Sequence, residues 1–131
     1  MYLVIAEKPS VSRALAKVIG AENREEGFLS GKDCIVSWCL GHLAEYIPPD
    51  GYDKKYESWK YEDLPIVPEE WKLAVSEEKK EQFYILKRLL NRPDVEYVVN
   101  ACDAGREGEL IFQRVVLPQL SVFNIGNLIN L

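Results

Sequence analysis

Val98-Val99-Asn100-Ala101-Cys102-Asp103-Ala104-Gly105-Arg106-Glu107-Gly108-Glu109-Leu110-Ile111-Phe112 changes its periodicity midway, and that change indicates the fold. Tyr97 to Ala101 are apolar or β-prone and contain neither Gly nor Pro, the pattern of a short strand covered on both faces. From Leu110 the spacing is helical, with Leu110, Ile111 and Val115 on one face. Asp103 therefore stands at the carboxyl end of a strand, where open α/β sheets place their ligands. Glu107 and Glu109 follow within one helical turn. Three carboxylates this close repel one another unless a cation or a shared proton neutralises them. Hard oxygen donors in this arrangement suit Mg²⁺, which keeps several waters and binds through one or two carboxylates. A plainer reading uses the same residues: acidic side chains in a first helical turn complement the macrodipole, and Asp103 is an ordinary turn or cap residue. Spacing alone leaves both open.

A chain of 131 residues builds one domain with a real core and is too short for two. Its 47% hydrophobic and 28% charged residues place it among globular proteins. No run approaches the ~20 apolar residues of a membrane span, and Glu7 and Lys8 interrupt the apolar opening too early for a signal peptide. No membrane partner is expected, and the expected location is cytoplasmic. Cys34, Cys39 and Cys102 are an odd set without a paired motif and read as reduced thiols. With His42 the sole histidine and no fourth ligand nearby, zinc is not expected. The net charge of −5 argues against an autonomous nucleic-acid-binding domain, which needs a basic excess to neutralise phosphates. It leaves room for a catalytic module whose grip on DNA comes from other domains.

Tyr2-Leu3-Val4-Ile5-Ala6 reads as the first strand, buried on both faces. Glu7-Lys8-Pro9-Ser10 ends it and opens a helix, with Pro9 at the first helical position and Ser10 as a cap. Val11, Ala14, Leu15 and Val18 supply the helix's apolar stripe, and Gly20 stops it. Glu7 and Lys8 thus occupy the same station as Asp103, a strand end running into a helix. If the two strands are neighbours, the two stations converge on one crevice. Each residue has a bland reading as a solvated turn charge. Together with an acidic cluster, however, a Glu can transfer a proton and a Lys can hold a phosphate.

Phe28-Leu29-Ser30 and Cys34-Ile35-Val36-Ser37-Trp38, around Gly31-Lys32-Asp33, read as a β-hairpin. His42 follows the second strand and a glycine, structural or in reach of a phosphate. From Ala44 to Pro68 the chain changes character at a Pro48-Pro49-Asp50-Gly51 turn cluster. Tyr52, Tyr56, Trp59 and Tyr61 alternate there with Lys54, Lys55 and Lys60. Such a stretch can stack bases and track a backbone; the preferred reading is an irregular insertion packed over the sheet by its rings. Trp71–Val75 reads as a short edge strand. Ser76 is expected to cap a helix with Glu77 and Glu78 in its first turn, Lys87 and Arg88 in its last, and Phe83, Leu86, Leu89 and Leu90 as its buried stripe. The order strand–helix–hairpin–insertion–helix–strand–helix indicates an α/β domain with a mainly parallel sheet.

Val4-Ile5-Ala6-Glu7-Lys8-Pro9-Ser10 paired with the later Asp103-Ala104-Gly105-Arg106-Glu107-Gly108-Glu109 resembles the Toprim domain of bacterial type IA DNA topoisomerases, most closely the topoisomerase III branch. Gly41-His42-Leu43 and the Tyr/Trp/Pro-rich insertion share the resemblance, which covers roughly residues 1–115. It implies a Rossmann-like fold over 1–116 with an insertion at 44–75. It also implies Mg²⁺-dependent breakage and rejoining of single DNA strands by the complete enzyme. Glu7 resembles the general acid/base serving the 3′ oxygen, and Lys8 the contact to the scissile phosphate. Asp103 and Glu107 resemble members of the metal-binding acidic triad, and Arg106 a catalytic phosphate or DNA contact. His42 joins Lys8 and Arg106 as an expected DNA contact, and no small-molecule cofactor is implied.

Three departures qualify the resemblance. The family pattern Asp-x-Asp-x-Glu has Gly105 at its second Asp, as some topoisomerase III relatives also do, and Glu109 or Glu7 is expected to complete the coordination. The family's nucleophilic tyrosine lies in a separate downstream domain, and nothing in this chain matches its motif, so the chain alone is expected to be inactive. From about Leu117 the sequence no longer resembles the family, so 117–131 is expected to be an atypical tail at a truncation point. The alternatives are a free-standing Toprim phosphodiesterase or nuclease, and a non-enzymatic α/β binding module.

Overall fold

A computed structural model describes residues 1–116, 118 and 128–130. The chain runs β1 (Tyr2–Ala6), α1 (Pro9–Ile19), β2 (Asn23–Glu25), β3 (Phe28–Ser30), β4 (Cys34–Trp38), β5 (Ala44–Tyr46), β6 (Leu73–Val75), α2 (Lys80–Leu90), β7 (Tyr97–Ala101), α3 (Arg106–Val116) and β8 (Leu128–Asn130). Six strands form one sheet in the order β2-β3-β4-β1-β7-β8. β1 pairs in parallel with both β4 and β7, and β7 in parallel with β8, while β2, β3 and β4 form an antiparallel meander. This is the expected α/β architecture, with the expected hairpin at β3–β4. β2 adds a strand that alternation could not reveal, because Asn23, Arg24 and Glu25 are all exposed.

β1 is an unbroken apolar run because helices cover it on both sides. On one face Leu3, Ile5, Ile35 and Val98 meet Leu86, Leu89 and Leu90 of α2 and Ile111, Phe112, Val115 and Val116 of α3. On the other, Val4, Val36 and Val99 meet Ala16, Leu15 and Ile19 of α1. Each fully buried Leu, Ile or Phe contributes about 1.5–3 kcal/mol, so the α2–α3 side carries most of the apolar stabilisation.

Several local expectations change. The buried face of α1 is Ser12, Leu15, Ala16 and Ile19, while Ala14 is exposed and Val18 is 84% exposed. The small Ala16 seats the helix against the sheet, and the buried Ser12 hydroxyl donates to the Ser37 carbonyl at 3.0 Å. Those two contacts set the rotation of the helix against the pull of one valine. Lys8, not Ser10, is the N-cap, with extended backbone ahead of Pro9 and no side-chain cap bond. Gly20 ends the helix in the left-handed conformation, φ +80°. Before α2, Ser76 leads into a 3-10 turn, Glu77–Lys79, and its hydroxyl caps nothing.

The stretch from Trp71 is a strand only over Leu73–Val75, and it pairs antiparallel with β5 in a separate two-stranded sheet, not at the edge of the main one. Between β5 and β6 lie three 3-10 turns, and the Lys72 N–H donates to the Tyr52 hydroxyl at 2.8 Å across the insertion's base. The rings do not all fold back onto the sheet: Trp59 is 76% and Tyr61 88% exposed. With four lysines against eight acids over 44–75, the insertion is also poorly charged to track a phosphate backbone. Most of the tail at 117–131 lies outside the described residues; Leu128–Asn130 supply edge strand β8. Among the described residues, no helix is long and apolar enough to cross a membrane.

Gln82, an unforeseen member of the interior, joins α2 to β4. Its amide donates to the carbonyls of Trp38 (2.8 Å) and Gly27 (3.1 Å) and to the Ser37 hydroxyl (3.2 Å). Gln82→Leu leaves these acceptors underpaired in a buried setting and is expected to cost about 1–3 kcal/mol, read as a lower urea midpoint with unchanged m-value. An unchanged midpoint shows that the network carries no net stability.

Candidate metal and phosphate site

Register brings the two motifs together. Ala6 is opposite Ala101 in the β1–β7 pair and opposite Trp38 in the β1–β4 pair, so three strands end level and release Cys39, Glu7 and Cys102 side by side. Glu7 is half-buried and Lys8 exposed. Cys39 N–H donates to the Ala6 carbonyl at 2.8 Å and the Cys102 thiol to the Ile5 carbonyl at 3.8 Å. A hydrogen bond with Cys102, and then burial, push the Cys39 thiol well above its ordinary range, with the Glu7 charge adding to the effect. A thiol so held stays protonated and is a poor nucleophile. The expectation of free thiols agrees with the structure, in which all three are buried.

After β4 the chain turns at Gly41, φ +65°, whose N–H approaches the Glu7 carbonyl at 3.4 Å. That turn returns His42 to the first turn of α3. Its Nε2 lies 3.0 Å from Glu107 Oε2, its Nδ1 3.5 Å from Arg114 Nη1, and its carbonyl accepts from Lys79 Nζ at 2.9 Å. His42, expected as a contact to DNA, thus faces a carboxylate of the acidic motif. Glu107 is 69% exposed, so the pair adds little to stability; what it fixes is the direction of the carboxylate.

Asp103 and Arg106 are exposed between β7 and the first turn of α3. Gly108 permits this tight entry, because a Cβ at 108 would overlap the carbonyl of Asp103. Glu109 points elsewhere: its carboxylate accepts from Asn100 Nδ2 at 3.0 Å and from Gln113 Nε2 at 2.6 Å. Asn100, buried in mid-strand, also accepts from the Cys102 N–H at 3.1 Å. It shapes the turn, a role its place in an apolar run concealed. Arg114 was equally hidden, although its spacing of seven from Glu107 puts both on one face of α3.

Among the described residues, no three His, Cys, Asp or Glu side chains are grouped closely enough to cage a metal ion. Nor do the carboxylates of Asp103 and Glu7 have a hydrogen-bond or ion-pair partner among those residues. Hard, solvent-facing oxygens without cationic partners fit a hydrated divalent ion bound through one or two carboxylates, rather than a closed protein cage.

A parallel-stranded domain with two acidic motifs at adjacent strand ends defines a class, and the family comparison identifies it. The model described as "Toprim domain" matches residues 2–126, so this chain belongs to the Toprim family. It is 47% identical over 114 residues to DNA topoisomerase 3 of Bacillus subtilis, covering 87% of this chain and 16% of that protein. Identity is 48% over 114 residues to DNA topoisomerase 3 of Bacillus licheniformis, with coverage of 87% and 16%. It is 47% over 108 residues to that of Shouchella clausii, with coverage of 82% and 15%. The chain spans about one-sixth of the length of these relatives. Toprim domains of topoisomerases are metal-dependent.

The close approach at Gly108 gives a direct check on this geometry. Gly108→Ala forces the Asp103 turn away from α3 and is expected to cost about 1–3 kcal/mol, with amide shifts concentrated at 102–106 in the NMR spectrum. Unchanged shifts there would mean that the turn does not depend on this contact.

Proposed function

We propose that this chain serves as the Toprim domain of a type IA topoisomerase of the topoisomerase III kind, acting with a tyrosine from another domain to break and rejoin one DNA strand. The observation that supports the reading is the parallel pairing of β1 with β7, whose strands end level at Ala6 and Ala101, just ahead of Glu7-Lys8 and Asp103–Glu107. Transesterification at phosphorus needs a proton for the leaving oxygen, charge stabilisation and in-line positioning.

Half-buried Glu7 delivers a proton to the 3′ oxygen on cleavage and removes it on religation. Exposed Lys8 and Arg106 hold the scissile phosphate, Arg106 through its planar fork. Asp103 and Glu107 would hold the cation, Mg²⁺ in this reading, joined by Glu7 when it is ionised, and Glu109, tethered by Asn100 and Gln113, would add negative potential or a further oxygen. A divalent cation there supplies Lewis-acid stabilisation of charge on the phosphate. His42 keeps Glu107 directed and, with Lys8 and Arg106, lines the path of a single strand. The working location is the cytoplasm, and the chain alone does not cut.

A chimera tests this. The matching segment of Bacillus subtilis DNA topoisomerase 3 is replaced by this chain, and relaxation of negatively supercoiled plasmid is followed. Mg²⁺-dependent relaxation is expected, with Glu7→Gln lowering the rate by about 100-fold or more. Full activity in the Glu7→Gln chimera would sink the assignment. Plasmid nicking by the isolated chain would favour the free-standing phosphodiesterase instead.

Gly105 offers a second test. An added Cβ there meets nothing within 4 Å, and the backbone is not in the left-handed region, so Gly105→Asp fits without strain. It is expected to bind Mn²⁺ about 10-fold more tightly in the isolated chain, with paramagnetic broadening centred on Glu7, Asp103 and Glu107. Equal affinity, or broadening scattered over surface carboxylates, counts against a cation at these strand ends.

A further inference from the structure

Arg114 is half-buried, with part of its guanidinium out of reach of water. Its Nε is enclosed and has no hydrogen-bond partner among the described residues. No carboxylate pairs with its guanidinium among them. The guanidinium lies 4.8 Å from the centre of the Tyr46 ring, against β5, and presents Nη1 to His42 Nδ1 at 3.5 Å. A charged group placed so, without an acid to offset desolvation, calls for a reason.

The chemistry of the two groups supplies one. A guanidinium has only N–H donors and is not deprotonated in proteins. The histidine nitrogen facing it is therefore the one with the lone pair, Nδ1. In the neutral ring the proton then sits on Nε2, the atom 3.0 Å from Glu107 Oε2. Because Glu107 and Arg114 share one face of α3, a single helix brackets the ring at both nitrogens, while Lys79 holds the residue's backbone carbonyl. The opposite tautomer would set a lone pair against a carboxylate oxygen and an N–H against a guanidinium, unfavourable at both ends.

We propose that Arg114 is a positioning residue that fixes His42 in its Nε2–H tautomer and so directs the Glu107 carboxylate into the crevice. The consequence for cation binding rests on the proposed role of Glu107; the tautomer does not.

Because His42 is the only histidine in the chain, its ring nitrogens can be read by ¹⁵N NMR without ambiguity. In its neutral form the ring of the wild-type chain is expected to show a protonated Nε2 and a bare Nδ1; a protonated Nδ1 with bare Nε2 overturns the proposal, whatever the variants do. Arg114→Met is expected to mix the tautomers and weaken Mn²⁺ binding by about 10-fold, and Arg114→Lys, which keeps a charged donor, to restore both in large part. If Arg114→Met lowers the melting temperature but leaves the tautomer pure and Mn²⁺ affinity intact, Arg114 is structural only and the proposal fails. Glu107→Gln separates the two readings: unchanged Mn²⁺ affinity in that variant refutes Glu107 as a cation ligand, while the ring spectrum still decides the role of Arg114.

Discussion

Parallel pairing of β1 with β7, fixed at Ala6 opposite Ala101, is the constraint on which the site depends. It is a rigid one. Side chains alternate between two packed faces, so a slip of one residue would move Leu3 and Ile5 onto the α1 side and Val4 onto the α2–α3 side, unmaking both halves of the core at once. The chemistry therefore does not have to hold itself together. Glu7 and Asp103 diverge in sequence by nearly the whole chain, yet they arrive together because strands buried on both faces leave no alternative register.

Such a scaffold can keep like charges close without pairing them. Glu7 and Asp103 lie at strand ends facing solvent, where water bears most of the cost of their charge, whereas Glu109 turns away into hydrogen bonds with Asn100 and Gln113. Beside them lie the buried Cys39 and Cys102 thiols, with Cys39 kept protonated by its neighbour and by burial. Buried and held protonated, Cys39 is better explained as a packing group beside Glu7 than as a reactive one.

The sequence revealed what repetitive packing dictates. Both central strands, the hairpin, α2 and α3 follow from apolar periodicity, and the convergence of Glu7 with Asp103 follows from two strands ending in the same way. What escaped were features set by single tertiary contacts. The face of α1 turned on Ser12 and Ala16, a polar and a small residue that carry almost no weight in an apolar count. Ser10 and Ser76 looked like caps, but the helices start through Pro9 and a 3-10 turn instead. The rings of Trp59 and Tyr61 suggested burial, yet the antiparallel β5–β6 pair gives the insertion its own base and leaves them in water. Asn100, Gln82 and Arg114 act through partners distant in sequence, where no local pattern points.

The acidic balance of the chain then becomes a statement about division of labour. With a net charge of −5 and an insertion richer in acids than lysines, this domain lacks the basic excess by which a surface grips a nucleic-acid backbone. Lys8 and Arg106 are both exposed and follow the ends of β1 and β7, near Glu7 and Asp103 in the chain. On the proposed reading, exposed Lys8 and Arg106 and a cation bound by the carboxylates would concentrate positive charge at the strand ends. On that reading, most of the affinity for a strand would come from outside this domain. What this domain would then contribute is position: Glu7, Lys8, Asp103 and Arg106 follow the ends of two strands whose register is fixed by a core on both faces.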